Sequence, residues 1–209
     1  ARLTFGDELS QLFPSNFDRF DALYSSDIAE FRRIEDLLTP TLIVANSRRV
    51  SIQPIARSYA DELLGTSNQT NLLDQFEGAF RSRKTYVSSG RSKNFFKTNQ
   101  LILFYESTRT GGRGAVVAAA RVDDVVTQHK KETGRSDMKK TVVESVDRFS
   151  ASEEVTMTSF SSLLRFPRPV SLKELYELDA AGTQNLQTAT VIATAAAQKI
   201  FDRGWANGR

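Results

Sequence analysis

The sequence predicts an α+β fold: a small mixed β-barrel with flanking helices, preceded by a helical arm. Three observations carry this expectation. The elements read along the chain run strand, helix, several strands with hairpins and a closing helix, an order that suits a barrel with helices on its outside. Two apolar runs, Leu101 to Ser107 and Ala115 to Val122, flank a Gly/Arg-rich turn. Charge also divides the chain near Pro40, because residues 1–40 hold eight Asp/Glu against four Arg, whereas the 209-residue whole has a net charge of +3.

In the N-terminal segment Phe17, Phe20 and Leu23, then Ile28, Phe31, Ile34, Leu37 and Leu38, recur at helical spacing. This predicts two amphipathic helices, the second capped by Ser26 or Asp27 and ended by Pro40. The segment 1–40 is thus an acidic helical arm or linker, packed on its own domain or joining it to something upstream or to a partner; 41–209 form the barrel domain. Thr41 to Ala45 and Val50 to Ile55 are β-rich runs, the second broken by Pro54. Tyr59, Ala60, Leu63 and Leu64 set up a helix that Gly65 closes, and residues 66–79 are a polar connection. Thr85 to Ser88, Leu101 to Glu106 and Ala115 to Val126 read as strands, the small residues of the last implying close packing.

The turn Thr110-Gly111-Gly112-Arg113-Gly114 has hairpin chemistry, since glycine adopts positive φ without a steric penalty. A phosphate-cradling loop would need a helix directly after it, and a strand follows instead. Residues 127–140 are hydrophilic and basic, a helix start or an exposed loop. Val142 to Phe149 and Glu154 to Phe160 alternate as strands do, and Arg165 to Val170 is extended and stiffened by two prolines. Ser171 with Glu174 makes a capping box for a short helix. Val191 to Arg203 predicts a closing helix, with Gly204 as its stop and Trp205 just beyond.

Composition narrows the function classes. With 40% hydrophobic and 25% charged residues the chain is ordinary for a globular domain. No cysteine is present, which excludes disulfides, thiolate metal sites and cysteine nucleophiles. A single histidine, His129, gives no support to a histidine metal centre or a Ser-His-Asp triad, so no metal and no cofactor are expected. The low-charge run Leu186 to Ile200 falls short of the ~20 apolar residues of a spanning helix. No membrane association and a cytoplasmic location are therefore expected.

The strongest functional signal is basic. Between Glu77 and Glu106 no acidic residue occurs, while Arg81, Arg83, Lys84, Arg91, Lys93 and Lys97 alternate with Phe80, Tyr86, Phe95 and Phe96. Cations that neutralise phosphates beside rings that accept bases suit a polyanion with stackable faces. A solvated basic loop beside core aromatics accounts for the same composition. On the binding reading, Arg81, Arg83, Lys84, Arg91 and Lys93 touch phosphate or a base edge. Tyr86 and Tyr105 stack on a base, Ser88 hydrogen-bonds to one, and Phe95, Phe96 and Phe104 belong to the core.

Ser51-Ile52-Gln53-Pro54 followed by Tyr59-Ala60-Asp61-Glu62-Leu63-Leu64-Gly65 resembles the opening motif of the ASCH branch of PUA-like domains. In that branch a strand ending in Lys-Pro precedes a helix closed by glycine. Arg83-Lys84-Thr85 stands where the family has Gly-x-Lys-Thr, after an insertion. Phe96 to Gln100 occupies the family's Gly-Asp turn, Leu103 to Ser107 resembles its next strand, and Val116 to Val126 the strand after that. The likeness covers residues 41–126 by motif and the remainder by element order.

The resemblance implies a β-barrel that binds RNA or a modified nucleotide, with DNA as a further candidate, in a basic cleft beside the Lys-Thr strand. Similar modules follow acetyltransferase or DNA-binding domains in bacterial proteins, which agrees with a chain that starts on Ala rather than Met. Two departures matter. Gln53 replaces the opening lysine. Some members also hydrolyse an acylated cytidine with the lysine of the Lys-Thr pair, a threonine three residues on and a glutamate; Lys84 survives, but Val87 holds the threonine position and can neither attack nor be activated. Thr85, adjacent to Lys84, should point to the opposite face of the strand from that lysine and so not substitute, and Glu106, Glu132 and Glu144 all remain candidates for the acid. The expectation is therefore a non-catalytic binding module. A regulatory or protein-interaction domain of a larger protein and the hydrolase are the alternatives.

Overall fold

The computed structural model describes residues 28–38, 40–45, 47–64, 84–89, 94–132, 153–181 and 186–206. Its strands are β1 (Val50–Ile55), β2 (Lys84–Ser89), β3 (Leu101–Glu106), β4 (Ala115–His129), β5 (Glu154–Ser171) and β6 (Thr190–Ile192). The helices are α1 (Ile28–Leu37), α2 (Arg57–Leu64), α3 (Leu172–Glu177) and α4 (Thr194–Trp205). One mixed sheet has the order β2-β5-β4-β3-β1-β6, with β1 and β3 parallel and the other neighbours antiparallel. Among the described residues the ladder is open, with β2 and β6 at its edges.

The open ladder is nevertheless strongly curled. From β2 to β1 the sheet passes through β5, β4 and β3, four steps of about 4.8 Å or roughly 19 Å in all. Gln53 of β1 and Tyr86 of β2 still meet, Nε2 to Oη, at 3.0 Å. A glutamine and a tyrosine cannot bridge that distance across a flat sheet, so the strands wrap towards each other around the concave face. Register shifts in the β4–β5 ladder supply the bending: β5 carries the extra residues opposite Val116–Ala118 and Ala119–Arg121, and β4 the extra residue between Val122 and Asp124.

Alternation along β3 sorts the two cores. Leu101, Leu103 and Tyr105 join Val50, Ile52, Phe166, Val170 and the apolar faces of α3 and α4 on the convex side. Ile102 and Phe104 face the concave side with Tyr59, Ala60 and Leu63 of α2, Tyr86, Val122 and Phe160. The alanines of β4, Ala118 to Ala120, are fully buried, and their small size lets both layers approach the sheet closely.

The acidic helix α1 is fastened by buried charge. Glu35, wholly buried, accepts from Arg48 Nη1 and Nη2 and from Arg121 Nη1, and takes a backbone bond from Ile43 N. Arg121 also donates to Asp36, Asp123 and Ser161, and Arg48 Nε donates to the Asn99 carbonyl at 2.6 Å. Two buried guanidiniums shared among three carboxylates are well paired, which is what makes their burial tolerable.

Several sequence expectations change here. Pro54 does not break β1, because β6 pairs only with Val50, Ser51 and Ile52 and so no donor is needed at position 54. Thr41 to Ala45 has no regular structure; Ile43 and Ala45 are instead buried against Phe31. The stretch from Arg165 to Val170 is strand, the second half of an 18-residue β5. β4 likewise continues to His129. Residues 190–192 form β6, so the closing helix starts later than its sequence pattern predicts, and α4 runs through Gly204 to Trp205. Gly204 is not a stop but a point of close approach: a Cβ there would overlap Phe166 Cδ2 and lie 2.9 Å from its Cε2 and Cγ. The capping box of Ser171 and Glu174 forms as predicted. The first arm helix, the Ser26 or Asp27 cap, the connection 66–79 and the strand from Val142 to Phe149 lie outside the described residues.

Candidate functional site

Between β1 and β2, where the curled sheet leaves a seam, α2 fills the gap and four polar side chains converge. Lys84 and Tyr86, two apart on β2, point to the concave face, as the period of a strand requires. Lys84 is 8% exposed, and its Nζ donates to the Leu63 carbonyl at 2.6 Å, at the C-terminal end of α2 where acceptors are unpaired. Burial pulls the Lys84 ammonium below the ordinary lysine range.

Tyr86 meets Tyr59 edge to face, with ring centroids 5.1 Å apart, and its hydroxyl accepts from Gln53 Nε2. Burial pushes the Tyr86 phenol up to about 12, the Gln53 bond acting in the opposite sense. A phenol raised above the usual value near 10 contributes stability that is complete below pH 10 and is lost as pH climbs towards 12. Two pH units correspond to about 2–3 kcal/mol. Tyr86→Phe should abolish that part of the alkaline destabilisation, measured by urea unfolding between pH 9 and 12. An unchanged alkaline profile in the variant would count against the buried phenol.

The other sequence-predicted residues divide clearly. Arg81, Arg83, Arg91 and Lys93 lie outside the described residues. Ser88 is buried, and its hydroxyl donates weakly to the Thr156 carbonyl at 3.4 Å. Tyr105 is also buried, but it belongs to the convex core, where burial and then the neighbouring Tyr176 raise its pKa. The structure brings Lys84 and Tyr86 together and leaves Tyr105 on the opposite side of the sheet, a consequence of its odd place in the alternation of β3. Gln53 and Tyr59, which join the seam, are visible in the sequence only as parts of the opening motif.

No family model matches the chain, and no curated protein matches its sequence. Solved structures do. The ASCH protein of Zymomonas mobilis superposes with a TM-score of 0.52 at 16% identity, over 73% of this chain and 94% of that one. A single-site variant of the same protein gives 0.56 at 13% identity, over 76% and 98%. This chain has the ASCH/PUA-like fold. A further match is human THYN1, solved in complex with 5-methylcytosine-containing DNA, at a TM-score of 0.44, 10% identity, and 77% and 99% coverage.

Within the ASCH fold, the groups around Lys84 bear on the hydrolase pattern. Val87 is fully buried in a separate small cluster with Val155 and Met157, away from the concave core that holds Tyr86. Thr85, on the same side of β2 as Val87, bonds to Ser159 Oγ at 3.1 Å. Glu106 is buried and receives three hydrogen bonds from Arg113, from N, Nε and Nη2 at 3.0, 2.9 and 2.7 Å. Burial alone would raise the Glu106 carboxyl, but these bonds, the Arg113 charge and that of Arg57 outweigh it and hold the group ionised. A carboxylate so occupied is a poor proton donor. Glu132 ends the short 3-10 turn that follows β4, and Glu144 is outside the described residues. Among the described residues no cluster of three or more potential metal ligands occurs, and no helix is long and apolar enough to cross a membrane.

Proposed function

We propose that this protein is a non-catalytic module that binds nucleic acid or a modified nucleotide, and that the base enters the seam between β1 and β2. The convergence of Gln53, Tyr59, Lys84 and Tyr86 on one face carries the reading. Two aromatic rings inclined at 72° offer apolar surface, and a lysine and an amide offer hydrogen-bonding groups. That mixture of apolar surface with a few placed polar groups is what small-ligand sites share. The cations Arg81, Arg83, Arg91 and Lys93 flank β2 in sequence and are proposed to follow the sugar-phosphate chain. RNA is the favoured polymer, with DNA as the alternative.

Catalysis of the acylated-cytidine type is disfavoured by the aliphatic Val87 on the far side of β2 and by the engagement of Glu106 with Arg113. Incubation with N4-acetylcytidine should yield no cytidine; turnover that Lys84→Ala abolishes would reverse this reading. A protein-interaction role has one observation in its favour, the exposed pair Leu37 (78%) and Leu38 (46%) at the end of α1.

Titration of fluorescent single-stranded RNA and DNA at increasing salt tests the proposal. Binding should weaken steeply with salt, because each neutralised phosphate releases counterions. Lys84→Met should lower affinity at every salt concentration by about tenfold, the order of a lost charge-assisted hydrogen bond. No measurable oligonucleotide affinity at low salt would reject the nucleic-acid reading in favour of the protein-partner one.

A further inference from the structure

Gln53 is 6% exposed, and the orientation of its amide is fixed by its neighbour. Nε2 lies 2.7 Å from the Pro54 carbonyl oxygen, which can only accept, so the NH2 end must face it. The same NH2 group donates to Tyr86 Oη. Gln53 Oε1 is then the remaining end; it is buried and has no hydrogen-bond partner among the described residues. A buried acceptor left in this state is costly, which makes it a place where a ligand donor gains most. A second such atom lies close by. Thr158, directly opposite Tyr86 in the β2–β5 ladder, is fully buried, and its Oγ1 likewise has no partner among the described residues. Lys84 Nζ carries three protons, of which the Leu63 carbonyl takes one.

We propose that the seam reads the donor–acceptor edge of a nucleobase rather than a phosphate, with Gln53 Oε1 as the specificity-determining group that accepts a hydrogen bond from a base N–H. The inference rests on the nucleotide-binding reading above and adds which part of the ligand enters. A backbone phosphodiester or an ionised carboxylate brings only lone pairs to Gln53 Oε1 and leaves it unsatisfied. A base brings an N–H that Oε1 can accept and a carbonyl or ring nitrogen that can take a lysine proton. The replacement of lysine by glutamine at this position thereby reverses the demand. A lysine would present donors and seek an acceptor; Gln53, tied down through its NH2, presents an acceptor and requires a donor.

The test uses calorimetric titration of the full chain with two nucleoside pairs: uridine and 3-methyluridine, cytidine and N4,N4-dimethylcytidine. Inorganic phosphate and an abasic oligonucleotide serve as anion controls. At least one parent nucleoside should saturate the site, and its methylated derivative should bind at least about tenfold more weakly, since the donor to a buried acceptor is gone. Phosphate should not displace the parent. In Gln53→Lys, checked for folding by circular dichroism, the parent-to-derivative ratio should fall to about one. Discrimination that persists in the folded variant would assign the effect to methyl bulk and overturn the inference. Should the variant not fold, the nucleoside pairs on the native protein decide alone, and equal affinity within both pairs overturns it. An abasic oligonucleotide that binds as well as an intact one, or phosphate that displaces the nucleoside, also overturns it while leaving nucleic-acid binding in place. Absence of any binding, to nucleosides and oligonucleotides alike, removes both readings.

Discussion

Glu35→Ala is expected to destabilise the protein by about 3–5 kcal/mol, the range for removing one partner of a buried ion pair. Its carboxylate is shared by Arg48 and Arg121, so the deletion leaves two buried guanidiniums short of countercharge. Arg121 keeps Asp123 and Asp36, but Arg48 loses its only ion-pair partner among the described residues. Urea unfolding followed by circular dichroism measures the loss, and a Glu35→Ala/Arg48→Met double variant should recover part of it by removing the stranded charge. Asp36→Ala provides the contrast. Its side chain is half exposed, and screening limits the effect to about 1 kcal/mol or less. A Glu35→Ala loss no larger than that of Asp36→Ala would mean that the buried cluster does not hold α1 to the sheet.

Gly204→Ala carries the second large effect, about 1–3 kcal/mol from overpacking, with the upper end expected. Three carbons of the Phe166 ring crowd the place where the methyl would stand. The ring has little room to retreat, because Phe201 and Trp205 flank it with centroids 5.4 and 4.6 Å away. α4 must therefore lift from the convex face or the ring must leave its rotamer. Phe166→Leu combined with Gly204→Ala should be less damaging than the sum of the two single changes. Strict additivity in that cycle would show that the two positions do not touch.

Local pattern makes much of the sheet legible. Leu101 to Tyr105 is an apolar run bounded by Gln100 and Glu106, so β3 can be delimited from sequence, and the capping box announces α3. β4 and β5 are longer than their sequence patterns suggest because their outer ends, such as Thr127 to His129, are hydrophilic and gain their strand state from long pairing with each other. The three residues of β6 owe their conformation to Val50, Ser51 and Ile52, about 140 positions earlier, and no local window contains that information. The charge division of the chain hints at the acidic helix, but not that Glu35 is buried against an arginine 86 residues away.

The site is legible only in part. Lys84 and Tyr86 stand out because they sit in a basic, aromatic stretch, and two-residue spacing on a strand brings them to one face. Tyr105 shares their composition but not their side of the sheet. At position 53 the sequence shows only that a lysine of the family pattern is absent. What the glutamine does instead depends on the orientation of its amide, and that is set in three dimensions by the carbonyl of Pro54.

The position of β1 has a consequence for biosynthesis. β1 is made early yet receives its outer neighbour, β6, and its convex cover, α4, only from residues 190–205. Until residues 190–205 have emerged, a nascent chain would display an unpaired β1 edge beside a convex core that lacks its α4 cover. Such a surface invites chaperone capture or sticking between neighbouring polypeptides, and it disappears when α4 docks.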